Sequence, residues 1–265
     1  MRDLEKIRGF VAVIDVLGFR EMVTRSDDLS HVKEYITTVV SLFENNQNSK
    51  LQFVLFSDNL IVNTTDDSES SFGEILRACS GLFCELTNYQ IAIRGAIAHG
   101  SFMRSETTSQ GVILAGRPII EALYYQDQQG WLGIILAPSV IRYDERIQKL
   151  SVPTATRGES DGVWLDRNRL ALRLQRWPRI PFHVTALTDE GHFDGYAVVP
   201  MRFMLAEATD TTKSLAETMA NLEKMRAAAP DPRSQKKYSE SLKWVASVQQ
   251  RCQENIRELE FTRRG

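Results

Sequence analysis

The feature that most constrains this chain is an apolar run near its start, Phe10 to Phe19, reading F-V-A-V-I-D-V-L-G-F. Five apolar residues lead into Asp15, and after Val16 and Leu17 the run ends at Gly18 and Phe19. A continuous apolar stretch of this length, closed by glycine, reads as a buried strand turning into a helix. A carboxylate at the end of such a strand is costly to bury unless a cation or hydrogen-bond donors meet it. The chain must therefore bring something to Asp15.

The remaining elements follow from periodicity. Phe10–Val16 is a strand, and a short helix over Arg20–Thr24 follows the turn. Ser30 is placed to cap a longer helix whose apolar face is Val32, Tyr35, Ile36, Val39, Val40 and Phe43, ended by Asn45, Asn46 and Asn48. Leu51–Phe56 and Leu60–Asn63 flank Ser57-Asp58-Asn59, the spacing of a tight hairpin. Ser71 and Glu74 have capping-box spacing before a helix buried through Phe72, Ile75, Leu76, Cys79, Leu82, Phe83 and Leu86. Ile91–His99 is a strand, followed by a polar loop over Ser105–Gln110 and a short strand over Val112–Ala115. A helix then opens at Gly116-Arg117-Pro118, with proline in the first turn, and Trp131–Ala137 is a further strand.

That order predicts an α+β fold, a βαββαβ sheet of ferredoxin-like plan with helices on one face and additional helices at the C-terminus. In it the hairpin lies beside the first strand, and Asp58 at its tip lies next to Asp15. Further on, Val163–Leu165, Phe182–Leu187 and Tyr196–Val199 read as short strands, and 161–179 is dense in arginine. Leu215, Met219, Leu222 and Met225 mark an amphipathic helix. Asp231 is a capping residue before Pro232 and a last helix through Tyr238, Leu242, Val245, Cys252, Ile256 and Leu259. Residues 1–205 are thus expected to form the main domain and 206–265 a helical extension.

Composition narrows the function classes. A formal net charge of −2 over 265 residues argues against a nucleic-acid binder. No stretch is long and apolar enough to span a membrane, and charges at Arg2, Asp3, Glu5, Lys6 and Arg8 break up any leader, so a cytoplasmic location is expected. The three cysteines lack metal-type spacing, and Cys79 reads as a buried free thiol.

Two aspartates at adjacent strand ends form the strongest chemical constellation. Hard divalent ions take oxygen ligands, with few carboxylates and the rest from water and substrate phosphates. Two such ions can clamp both oxygens of a phosphoryl displacement. Gly18 and Phe19 open a helix whose first N–H groups can meet an anion.

The motifs I-D-V-L-G-F (Ile14 to Phe19), F-S-D-N-L-I-V (Phe56 to Val62), I-R-G-A-I-A-H-G (Ile93 to Gly100) and G-R-P-I-I-E-A (Gly116 to Ala122) resemble, in order and spacing, class III nucleotidyl cyclases. The resemblance covers about residues 8–140 and implies a cyclase-type, palm-like fold. It also implies two Mg²⁺ or Mn²⁺ ions held by Asp15, Asp58 and the carbonyl of Val16, and a homodimer with active sites at the interface. Gly18 and Phe19 then contact the triphosphate. The family's base-reading positions align with Val54 and Ile113, and its transition-state asparagine and arginine with Ile120 and Tyr124; none of these four can do the family's usual work. Arg117, then Arg94, are the cations left to offset charge on the phosphates. The motif wording is most similar to the pyrimidine cyclases of Pycsar anti-phage systems. That likeness implies UTP or CTP as substrate, cyclic UMP or cyclic CMP as product, and a separate effector reached through the product alone. An inactive nucleotide- or partner-binding module and a divergent purine cyclase stand as the alternatives.

Overall fold

The computed structural model describes residues 5–24, 29–44, 50–106, 112–143, 182–188, 191–198 and 208–264. The strand predicted over Val163–Leu165, the arginine-dense stretch 161–179 and the helix end at Asn45, Asn46 and Asn48 lie outside them. So do residues 107–110 of the expected polar loop.

The elements are β1 (Glu5–Leu17), α1 (Phe19–Thr24), α2 (Ser30–Glu44), β2 (Leu51–Phe56), β3 (Asn59–Thr64), α3 (Glu69–Asn88), β4 (Ala92–Glu106), β5 (Val112–Gly116), α4 (Arg117–Asp127), β6 (Gly133–Leu136), α5 (Pro138–Tyr143), β7 (Phe182–Thr188), β8 (Gly191–Ala197), α6 (Ala208–Ala228) and α7 (Pro232–Arg264). The fold is mixed α+β. Its sheet runs β2-β3-β1-β4-β6-β8-β7, with β5 paired to β4 off that path. β1 is antiparallel to both β3 and β4, and β6 runs parallel to β4. The first four strands and the helices between them thus form the βαββαβ unit expected from the periodicity.

β1 is buried on both faces because helices cover both. Side chains alternate across a strand, so even and odd residues of β1 face opposite ways. On the even face Phe10 stacks on Phe72 of α3 at 4.8 Å, and Phe53 of β2 stacks on Phe43 of α2 at 5.1 Å. On the odd face Asp15 meets Gln126 of α4. The expected helical face is therefore the one made by α2 and α3, and α4 covers the other. Ala96 and Ala98, on the α4 side of β4, are completely buried, small enough for a helix to lie close over the strand. Gly95 serves the β1–β4 approach itself, since a Cβ there would sit 2.7 Å from the Val13 carbonyl oxygen.

Several boundaries moved. The cap of α3 is Ser68, whose Oγ accepts from the Ser71 N–H (3.3 Å), rather than Ser71 itself. Glu74 instead accepts from the Lys50 N–H at 3.0 Å, pinning the end of the neighbouring loop. β4 continues to Glu106 because β5 pairs along its far half, through Glu106↔Val112. Asp231 caps α7 as expected, accepting from the N–H groups of Arg233 and Ser234.

The two C-terminal helices share the core of the sheet. Leu215, Leu222, Val245 and Trp244 join the same buried cluster as α3 and β6. Trp244 lies edge-on to Phe83 of α3 and to Trp131, and Ser241 Oγ accepts from the Leu132 N–H at 2.7 Å. Cys79 is a buried free thiol, and its burial pushes its pKa well up. Among the described residues no helix is long and apolar enough to cross a membrane.

Candidate active site

The site forms where β1 stops. Gly18 turns the chain with φ of 75°, a conformation glycine adopts without a Cβ penalty, and its carbonyl accepts from the Met22 N–H to start α1. α1 is only six residues long, so it offers a few N–H groups beside Phe19 rather than a strong dipole.

The hairpin delivers Asp58 to this place through the ladder. Asp15 is paired with Asn59, and the Val16 N–H donates to the Asp58 carbonyl oxygen at 3.0 Å. In an extended strand a residue's N–H and C=O leave on the same edge, so the Val16 carbonyl also faces the hairpin. Asp58 Oδ1 accepts from Asn59 Nδ2 at 2.9 Å.

On the other flank Asp15 is paired with Arg94 of β4. The Arg94 Nε–H donates to Asp15 Oδ2 at 3.1 Å, and Gln126 Nε2 donates to the same oxygen at 3.3 Å. Arg94 is itself held at the end of α4. Its Nη1 donates to the carbonyls of Asp127 (3.1 Å) and Gln129 (3.3 Å), and its Nη2 lies 3.7 Å from Asp127 Oδ1. Both side chains of the pair are well covered, 15% exposed for Arg94 and 16% for Asp15. Burial raises the pKa of Asp15; Arg94 pulls it back, and the neighbouring Asp58 pushes it up again. An environment that resists a second negative charge beside the first favours an added cation.

A third oxygen stands nearby that periodicity assigned only to the core. Tyr35 of α2 is 1% exposed and meets Phe19 edge-on at 6.2 Å. Its hydroxyl is buried with no hydrogen-bond partner. Burial, then the charges of Asp58 and Asp15, push that hydroxyl's pKa well above the ordinary tyrosine value, so it remains an O–H donor. Two carboxylates and a carbonyl on the same edge are oxygen ligands of the kind a hard divalent ion takes together with waters. Among the described residues there is no cluster of three or more His, Cys, Asp or Glu side chains suited to a metal. A cation here would rest on the two aspartates and on oxygens from backbone, water and ligand.

The other candidates lie elsewhere. Arg117 opens α4 while Gln126 and Asp127 close it, which separates Arg117 from Asp15 by about 13 Å along the helix axis. Arg117 lines an open groove with Ile120, Glu121, Tyr124, Tyr125 and Arg142. Ile113 pairs with Ser105, on the order of 35 Å up a straight β4 from Arg94. Val54 is half-buried on the edge strand β2, paired with Ile61. Ile113, Ile120 and Tyr124 are exposed. One copy of the chain thus gathers Asp15, Val16, Asp58, Gly18, Phe19 and Arg94 at one end of the sheet and leaves Arg117 and Ile113 apart. No motif marks Gln126 and Asp127, which matter only through contacts more than thirty residues away, and the spacing of Tyr35 marks it as a core residue alone.

His99, a core position in the sequence reading, is buried, with Nε2 3.4 Å from Asp67 Oδ2. Burial lowers its pKa despite that carboxylate.

No protein-family model and no curated protein matches the chain. Solved structures similar to it include the guanylyl cyclase Cya2, with a TM-score of 0.44 at 10% identity over 52% of this chain and 79% of that one. Another is the adenylyl cyclase CyaB from P. aeruginosa, at 0.41 and 12% identity over 53% and 81%. A third is the guanylate cyclase domain of RhGC from Catenaria anguillulae in complex with GTP, at 0.43 and 9% identity over 73% and 97%. At this level they record a likeness and assign no activity.

Proposed function

We propose that this chain is a pyrimidine nucleotidyl cyclase, acting in the cytoplasm on UTP before CTP and serving anti-phage signalling. The observation that carries the reading is the meeting of Asp15 and Asp58 across the β1–hairpin ladder, beside the glycine turn. In the reaction the substrate's 3′-hydroxyl oxygen bonds to its own α-phosphorus as its proton passes to water, the bond from that phosphorus to the oxygen bridging the β-phosphate breaks, and pyrophosphate leaves with that oxygen. Asp15, Asp58 and the Val16 carbonyl would hold two Mg²⁺ or Mn²⁺ ions, which would supply charge stabilisation at the α-phosphate and activation of the 3′-hydroxyl. The backbone at Gly18 and Phe19 orients the phosphates. The apolar side chains Val54 and Ile113, at the positions that read a purine in the resembling family, favour a smaller base.

The separation of Arg117 from the carboxylates supports a homodimer, in which each site takes its aspartates from one copy and its α4 groove from the other. The exposed apolar side chains Val112, Ile113, Ile120, Leu123 and Tyr124 are suited to being covered by a second copy. Residues 206–265 are proposed as a helical extension docked on the catalytic core. One observation favours a second reading, a module that binds a nucleotide without turnover: Asp15 already has a resident cation in Arg94.

The test is incubation with each of the four ribonucleoside triphosphates and Mn²⁺, with cyclic product identified by mass. Cyclic UMP or cyclic CMP is expected, and Asp58→Ala abolishes it while leaving the dimer intact. A cyclic purine product sinks the pyrimidine reading, and no product from any triphosphate selects the binding module.

A further inference from the structure

The two donors on Asp15 both choose one oxygen. Arg94 Nε and Gln126 Nε2 converge on Oδ2, at 3.1 and 3.3 Å, while no described group donates to Oδ1. Arg94 stands on the β4 side and Gln126 comes from α4, so both donors hold Oδ2, while the Asp58 hairpin lies on the other flank of β1. The two donors are also fastened to one place. Gln126 is buried in the last turn of α4, and Arg94 is anchored on the carbonyls of Asp127 and Gln129 just beyond it. These carbonyls lie at the negative end of the helix, where a guanidinium is favoured.

We propose that Arg94 and Gln126 are positioning residues, a clamp from the C-terminal end of α4 that sets the rotamer of Asp15 and aims Oδ1 at the cation shared with Asp58. Arg94 is then occupied in holding a ligand rather than in meeting the phosphates, which leaves that task to Arg117. The clamp ties cation binding at one end of α4 to the helix that carries the groove at its other end. It rests on the reading of Asp15 and Asp58 as cation ligands, and outer partners of this kind are worth about ten- to a hundred-fold in metal affinity.

Two variants test it by Mn²⁺ titration, following the paramagnetic resonance of free Mn²⁺, with thermal melting in EDTA alongside. Gln126→Met keeps length and charge and removes only the donor; Arg94→Lys keeps the charge and removes the fork. Each is expected to weaken Mn²⁺ binding about ten-fold. Gln126→Met is expected to melt in EDTA as the wild type does, because an apolar chain suits that buried position. Wild-type affinity in both variants overturns the clamp, as does tighter binding in Gln126→Met. If the wild type binds no Mn²⁺, or Asp58→Ala binds it equally well, the carboxylate reading falls and takes the clamp with it. Binding that is lost in Asp58→Ala but unchanged in both clamp variants removes the clamp alone.

Discussion

Replacing Arg94 with Met should be among the most destabilising single changes in the described core, and the contacts let its size be worked out. The substitution removes the cation 3.1 Å from Asp15 and the bonds to two helix-end carbonyls. Removing one partner of a fully buried ion pair costs about 3–5 kcal/mol, because the other charge is left uncompensated. Here about a sixth of each side chain still meets solvent, and Gln126 continues to donate to Asp15. The lower end of the range applies, about 3 kcal/mol. For a chain of this size that is a fall of roughly 6–10 °C in Tm. The assay is a double-mutant cycle, Arg94→Met and Asp15→Asn singly and together, melted and urea-unfolded in EDTA at neutral pH. In the Asp15→Asn background the carbonyl bonds and the long, exposed contact to Asp127 remain to be lost, so the effect of Arg94→Met should shrink to about 1 kcal/mol. An equal loss in both backgrounds, or a loss under about 1 kcal/mol in the wild type, refutes the pairing as the source of stability.

Two further outcomes follow from single residues. Tyr35→Phe keeps the ring against Phe19 and deletes a buried hydroxyl with no partner, so the protein melted in EDTA should gain about 1 kcal/mol; a clear loss would mean the hydroxyl is bonded within the protein. Asp66 is held below the usual carboxylate range by Lys50, then by Ser68 and Ser71. A depressed carboxylate contributes stability that is complete above its unfolded pKa and is lost as pH falls through the folded one. Asp66→Asn should therefore flatten the acid limb of the stability–pH profile below about pH 4, and an unchanged limb contradicts that assignment.

Much of the site was legible because its main parts are local. Asp15 ends an apolar run and Asp58 sits in a hairpin turn, and both features are set by residues within a few positions. Once β1 and β3 pair antiparallel, the register that sets Asn59 opposite Asp15 brings Asp58, the turn residue just before Asn59, to the same strand end. The choice of Ser68 over Ser71 as the α3 cap was less legible. Both have the right side chain, and the arriving loop, tied by the Lys50–Asp66 pair at 2.8 Å, selects between them.

What the sequence determined by itself is the α+β plan and the presence of two carboxylates at neighbouring strand ends, since hydrophobic period and turn chemistry act over short range. What only the tertiary structure decided is which groups surround those carboxylates. α4 crosses to the face opposite α3 and brings Gln126 and the carbonyls of Asp127 and Gln129 to Arg94 and Asp15. Tyr35 fills a core position by its spacing, yet carries its hydroxyl into the field of Asp58 and Asp15. Spacing encodes the side of a helix or strand on which a residue lies. It does not encode what a second element, arriving from far along the chain, packs against that side, and the electrostatics of this site are made of such meetings.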